Sequence, residues 1–541
     1  MSRTRSLIIL LWTVGATATF AQRDTLPNIL LIVADDLGYA DLGCYGGEIR
    51  TPVIDKLAKE GQRFTQFHTA PSCAPTRAML LTGNNNHVAG MGRQGSAVNE
   101  WERSQNGYEG YLSDRVVPFP MLLREAGYHT YSAGKWHLGK NQQHSPFAKG
   151  FERSFSLLQG ASNHYNNVGL TMSDSVSLYS ADGRLVEYPQ GSYSTELYTD
   201  KLIEFIRGGK GGNPFFAFAA YTSPHWPLQA PARNDRYRGR YDMGYDSLRV
   251  LRFQSLKRAG IISKDQKMPQ QLASIKPWKT LTPEEKKIEA RKMELYAAMV
   301  DNLDEQIGRL VEFLKQEGLY DNTLIVFMSD NGASAEDFYV QAPYADFIAP
   351  RYDNRYENMG AINSFVSYGP QWGKAGAAPF SYHKGYATEG GTVAPLIVCG
   401  SKLNVKPGLR TTFVTVMDLA PTFLELAAAS YPGKFAMPST RPMLGASMVN
   451  YLRGKSEVLH DSTYAFGFWS GENACFRRGK WKLVNTERPY REARLKLYDI
   501  EQDPGETKDL STSLPAKYLA MLEAWRQYVK ELDIRLPIAS N

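Results

Sequence analysis

The densest concentration of reactive side chains is residues 71–83, PSCAPTRAMLLTG. Cys73 is followed two positions on by Pro75 and two beyond that by Arg77. Proline brings no amide donor, so Pro75 suits the first turn of a helix, and the apolar run 78–81 carries that helix into a core. The first turn directs unpaired N–H groups and the positive dipole end towards Cys73. Residues four apart share a helix face, which sets Arg77 beside the Cys73 side chain. The result is a cationic socket around one sulfur atom. A small buried cysteine ahead of a helix accounts for the same residues.

Other polar groups recur in one position, just after an apolar run. Asp35 and Asp36 follow Asn28–Ala34, a continuous apolar stretch that reads as a strand buried on both faces. Adjacent carboxylates there repel unless a cation lies between them, and oxygen-rich clusters suit calcium or magnesium. A turn or helix cap explains the pair as well. Lys135 and His137 follow the strand pattern at 128–133; in an extended chain they point the same way and face one site. A solvated lysine beside a core histidine is the plainer account of these two. His225 follows the strand at 215–221, and Asp330-Asn331 follow the strand at 323–328. In open α/β sheets ligands bind beyond the carboxyl ends of the strands, so these clusters belong on one rim.

The elements that hold them alternate. Helical patterns cover 51–60, 118–126, Pro283–Gln316 (capped by Thr282) and 417–428. Residues 381–395 are glycine-rich and lead into the strand Leu396–Cys399. Residues 234–279 are basic and aromatic with little periodicity, which predicts a surface cover. Proline and glycine mark a loose connection over 432–454. Beyond it, short β patterns at 463–469, 474–478, 480–484 and 495–499 and a helix at 515–532 predict a small antiparallel sheet. The fold expected is α/β, with a large, mostly parallel sheet flanked by helices and a smaller C-terminal α+β domain.

Residues 1–21 read as a secretory leader: Arg3 and Arg5, an apolar core at 7–14, then Thr19-Phe20-Ala21 as a cleavage site. A membrane span needs about 18 or more apolar residues, and no segment reaches that length. The expected division is 1–21 leader, 22–450 catalytic α/β domain and 451–541 C-terminal subdomain. The formal net charge of +7, part of it in the leader, is small and dispersed, and gives no argument for nucleic acid. Cys44, Cys73, Cys399 and Cys475 could form two disulfides in an exported chain, but modification of Cys73 would leave three. No disulfide essential to the fold is expected.

The C-x-P-x-R…L-T-G pattern at Cys73, Pro75, Arg77, Leu81, Thr82 and Gly83 resembles the signature of the type I sulfatases, members of the alkaline phosphatase superfamily. The resemblance extends through NILLIVADDLG, GKWHLG, SPH, SDNG, Lys384 ahead of Glu389-Gly390-Gly391, and the late segment 497–507. Segments 237–251 and 361–379 are most similar to bacterial arylsulfatases. Thr76, where Ser or Ala is commoner, and Thr392-Val393 depart from the pattern without removing a motif residue. The resemblance implies a sulfuric ester hydrolase whose Cys73 is oxidised to formylglycine by a formylglycine-generating or sulfatase-maturing enzyme. It implies one divalent ion, calcium, held by Asp35, Asp36, Asp330 and Asn331 and touching position 73 and the substrate sulfate. Arg77 and Lys135 would hold the aldehyde hydrate, whose attack on sulfur Asp330 assists. His225 and Lys384 would serve the leaving oxygen, and His137 the release of sulfate. Hydrolysis of phosphonates or phosphodiesters, and binding of sulfated glycans without catalysis, are the rival readings.

Overall fold

The computed structural model describes residues 26–94, 99–102, 104–170, 175–209, 211–338 and 344–537. The expected leader lies outside the described residues. Asn28–Ala34 runs through a ten-stranded sheet, parallel to Thr323–Ser329 on one side and Phe215–Ala220 on the other. His129–Lys135 and Arg153–Leu157 continue the parallel arrangement, while Leu396–Cys399 and Tyr179–Ala181 run antiparallel to their neighbours. The sheet is therefore mixed and mostly parallel, as expected.

Every residue of Asn28–Ala34 is buried, because helices cover both faces. Leu30 and Ile32 enter one core with helices Pro52–Glu60, Ser194–Arg207 and Pro283–Gln316. Ile29, Leu31 and Val33 enter the other with Cys73–Thr82, Phe119–Glu125 and Leu419–Leu426. Thr282 and Glu285 close a capping box at the start of the long helix, as the sequence predicts. No helix among the described residues is long and apolar enough to cross a membrane.

Register aligns the strand ends. Ala34 lies opposite Ser329, Val33 opposite Ala220, and Gly134 also opposite Ala220. The residues that follow, Asp35, Asp330 and those around Lys135, consequently leave the sheet at one rim.

The expectation for residues 234–279 is corrected by the structure. They contain the helix Gly244–Arg258, with Tyr245, Leu248, Phe253 and Leu256 buried. Its periodicity is hidden because the buried face also carries Arg249 and Arg252. Arg252 pairs there with Asp41 and, at 2.8 Å, with Glu48.

At the C-terminal end, Ala465–Ser470, Asn473–Arg478, Trp481–Val484 and Lys496–Asp499 form an antiparallel sheet. One face packs on helix Pro515–Glu531 through Phe476, Leu483, Leu497 and Trp525. The other joins the second main core through Phe466, Phe468 and Val484. The junction holds a buried ionic network. Lys482 Nζ lies 2.6 Å from Glu389 Oε1 and 2.9 Å from Glu506 Oε1, and His68 Nε2 lies 3.0 Å from Glu389 Oε2.

Lys482→Met removes the cation between two buried carboxylates, and should lower the unfolding free energy by about 3–5 kcal/mol in urea titration. A midpoint unchanged from wild type would show that the network carries no such strain. Burial also governs His87, whose ring nitrogens have no hydrogen-bond partners. Burial, reinforced by Arg115, holds its pKa down to about 3. The unfolded chain takes up that proton below about pH 6.5 and the native state does not. Stability from this group is thus complete above that pH and is lost as pH falls towards 3. Between pH 6 and 4, His87→Gln should flatten the pH dependence of unfolding by about 1.4 kcal/mol per pH unit. Parallel profiles would refute it.

Candidate active site

Three carboxylates and three cations meet at the rim, each paired and all of them buried. Lys135 Nζ lies 2.8 Å from both oxygens of Asp35. Lys384 Nζ lies 2.7 Å from Asp36 Oδ2. Arg77 donates to Asp330 Oδ2 from Nε at 3.0 Å and Nη2 at 2.8 Å, and its Nη1 donates to the Lys135 carbonyl at 2.8 Å. Charge-assisted bonds of this kind fix both position and orientation.

Cys73 is the first residue of its helix, and Pro75 sits within the first turn. Its Sγ lies 3.4 Å from Asp35 Oδ1 and 3.6 Å from Asp36 Oδ1. Consecutive residues of an extended chain would point to opposite faces. The backbone of Asp36 turns instead into the left-handed region, with φ at 65°, and both carboxylates reach the sulfur. The same turn occurs at His137, with φ at 63°. Simple alternation therefore does not explain how His137 joins Lys135 at the site; a local backbone reversal does.

Burial differentiates these groups electrostatically. It pushes the Asp35 carboxyl up, to about 7, against the pull of Lys135. Asp36 is buried as deeply, but Lys384 and then His225 outweigh that effect and hold it below the usual carboxylate range. Burial, with Asp330 next, pushes the Cys73 thiol well above its ordinary value. The sulfur is a neutral thiol, not a thiolate, around neutral pH. His137 is held well below its usual value by burial and then by Lys135, Arg77 and Lys384. His225 is also lowered by burial, but Asp36, whose Oδ2 is 3.5 Å from Nε2, opposes that. The Nδ1 of His225 donates to the Trp226 carbonyl at 2.7 Å, which leaves Nε2 facing the site.

Asp35, Asp36, Cys73 and His225 each offer a donor atom within 4.8 Å of the others, a group capable of coordinating a divalent ion. Asp330 and Asn331 border it. Asp330 Oδ1 accepts from the Asp36 amide at 3.3 Å, and Asn331 Nδ2 donates to Asp36 Oδ1 at 2.7 Å. Asn331 Oδ1 is buried without a partner. A buried carbonyl oxygen lacking a donor, beside two carboxylates, fits a hard cation.

The ten residues given catalytic or metal-binding roles in the sequence come together here, whereas Glu389 lies at the junction with the C-terminal sheet. Glu336 does not stand out in the sequence, because no motif marks it. Its Oε1 lies 3.6 Å from Lys384 Nζ, and its side chain is partly exposed.

A family model described as Sulfatase matches residues 27–429. An uncharacterized sulfatase of Schizosaccharomyces pombe is 40% identical over 530 residues, 94% of each chain. An arylsulfatase of Klebsiella aerogenes is 39% identical over 443 residues, 80% of this chain and 93% of its own. Among solved structures, Ps i-CgsB in complex with k-i-k-neocarrahexaose aligns with a TM-score of 0.65 at 26% identity, covering 93% of this chain and 92% of that one. Likeness that runs almost the full length of two chains, and not through the Cys73 segment alone, makes this protein a member of the sulfatase family: a type I sulfatase of the alkaline phosphatase superfamily, and a sulfuric ester hydrolase of the arylsulfatase kind.

Proposed function

We propose that Cys73 is converted to formylglycine by a maturation enzyme, and that the site then hydrolyses sulfate monoesters of phenols or alcohols with one calcium ion held by Asp35, Asp36, Asp330 and Asn331. The observation that carries this reading is the state of Cys73. Its sulfur lies against two carboxylates in a fully buried site that keeps the thiol protonated, so the unmodified residue is a poor nucleophile. Formylglycine supplies an aldehyde hydrate with two hydroxyls, one to attack sulfur and one to let sulfate go. The ion, when bound, would supply a hard positive charge that stabilises the sulfate.

The chain's own groups divide the remaining work. Arg77 and Lys135 hold the oxygens at position 73, and Asp330 assists removal of the attacking proton. His225 and Lys384 serve the leaving oxygen. His225 uses Nε2, because Nδ1 is committed to a carbonyl, and Asp36 beside Nε2 opposes the lowering of its pKa by burial. The charges that act most strongly on His137 are cations, which suits a base that must stay neutral until it takes a proton. We also propose that the protein is exported under residues 1–21, with 22–450 as the catalytic domain and 451–541 as the C-terminal subdomain.

The mass of the peptide containing Cys73 tests the central claim. Fully active protein with only unmodified cysteine at that position would overturn it. A panel of sulfate and phosphonate esters then tests the reaction, with sulfate esters turned over preferentially.

The two histidines should separate by step. His225→Ala should lose activity most on esters of poorly leaving alcohols, by about 10²–10⁴-fold, and least on nitrophenyl sulfate. His137→Ala should release about one equivalent of phenol in a burst and then stall with sulfate attached. Rates plotted against leaving-group pKa that run parallel for wild type and His225→Ala, or a His137→Ala enzyme without trapped sulfate, would reverse the assignment.

A further inference from the structure

Glu336 takes no part in the proposed catalytic steps, yet it stands at the partly exposed edge of the site beside Lys384. Its side chain is 32% exposed, against 1% for Asp36, and both carboxylates face Lys384. Lys384 already has a close partner in Asp36 at 2.7 Å. A second, partly hydrated carboxylate at 3.6 Å adds little to holding it. Ser334 Oγ donates to Glu336 Oε2 and fixes the carboxylate.

Two residues further on, Phe338 is buried with Phe365 in a small core, and the partly exposed Trp226 packs against them. The Trp226 ring lies 4.2 Å from His225, 4.3 Å from Phe338 and 5.7 Å from Phe365, centroid to centroid. Trp226 keeps part of its surface open, and its indole Nε1 has no hydrogen-bond partner. A carboxylate and the partly open Trp226 ring, backed by Phe338 and Phe365, therefore flank the same His225–Lys384 end of the site. Aromatic faces with a nearby negative charge accept flat neutral rings and organic cations, and disfavour anions.

We propose that Glu336 is a specificity-determining residue that selects sulfate esters of uncharged or cationic phenols and alcohols, against esters that carry a second anionic group. The proposal rests on the placement of the leaving oxygen at His225 and Lys384. With the sulfate drawn inward by the buried cations, the rest of the ester projects past these two residues into the field of Glu336. A unit charge about 6 Å away in a half-hydrated mouth changes recognition by about tenfold.

The test uses the matured full-length enzyme and three aryl sulfates: 4-nitrophenyl sulfate, a carboxylate-substituted phenyl sulfate and a trimethylammonio-substituted phenyl sulfate. Comparing kcat/KM for each ester between wild type and variant cancels differences in leaving-group pKa. Relative to 4-nitrophenyl sulfate, Glu336→Gln should improve the carboxylate ester about tenfold and weaken the cationic ester by a similar factor. Glu336→Asp should keep the wild-type order. Equal losses on all three esters would make Glu336 a support for Lys384 and overturn the proposal, as would three unchanged values. If wild-type enzyme with verified formylglycine hydrolyses none of the three, the reading of the site itself falls, and this one with it.

Discussion

Six charges taken out of water at the end of one sheet set the terms for everything around them. Asp35, Asp36 and Asp330 each face a cation within about 3 Å, and every member of the set is buried. Such pairs are weak evidence for stability, since well-packed apolar residues would serve folding as well. Removing one partner is different, because it strands a charge in the interior at a cost of about 3–5 kcal/mol. The arrangement therefore makes sense as preorganisation: donors and acceptors are fixed before any substrate arrives, so little reorganisation is needed during reaction. Burial first, and the neighbouring charges second, keep the Cys73 thiol protonated, and burial with the nearby cations biases both histidines towards the neutral ring.

Much of this was legible in the sequence, and the reason is local. Asn28–Ala34 is apolar throughout because both of its faces are covered, and Pro283–Gln316 carries both a periodic stripe and its own capping box. Polar groups after such strands could be placed on one rim without knowing the fold. What could not be read is pairing. Lys135 finds Asp35 across 100 positions, Arg77 finds Asp330 across 253 and Lys384 finds Asp36 across 348. No local pattern specifies which cation takes which carboxylate. The left-handed turns at Asp36 and His137 are equally silent, since both residues tolerate several conformations. Helix Gly244–Arg258 escaped detection for a third reason: its buried face uses arginine, with Arg252 matched to Asp41 and Glu48, so hydrophobicity did not report burial.

The C-terminal sheet is tied to this chemistry through a glycine-rich loop. Lys384 belongs to residues 381–392, and that loop is held at its far end by Glu506, whose Oε2 accepts from the Glu389 amide at 2.7 Å. Ser381 Oγ donates to the Gly505 carbonyl nearby. Lys482 neutralises Glu389 and Glu506 together, while burial pushes Glu506 up to about 7. Within the loop, a Cβ on Gly390 would stand 2.1 Å from the Ser381 carbonyl, and one on Gly391 2.0 Å from the Tyr386 carbonyl. A Cβ on Gly332, next to Asn331, would stand 2.1 Å from the Gly390 carbonyl. Backbone packed this closely cannot accommodate a side chain without moving. Lys384 and Asn331 are therefore referenced to the same rigid segment, and that segment is referenced to residues from the end of the chain. A displacement of the C-terminal sheet would reach the active site through these side-chain hydrogen bonds and ion pairs and then through the close-packed loop backbone, although the sheet contributes none of the six charges.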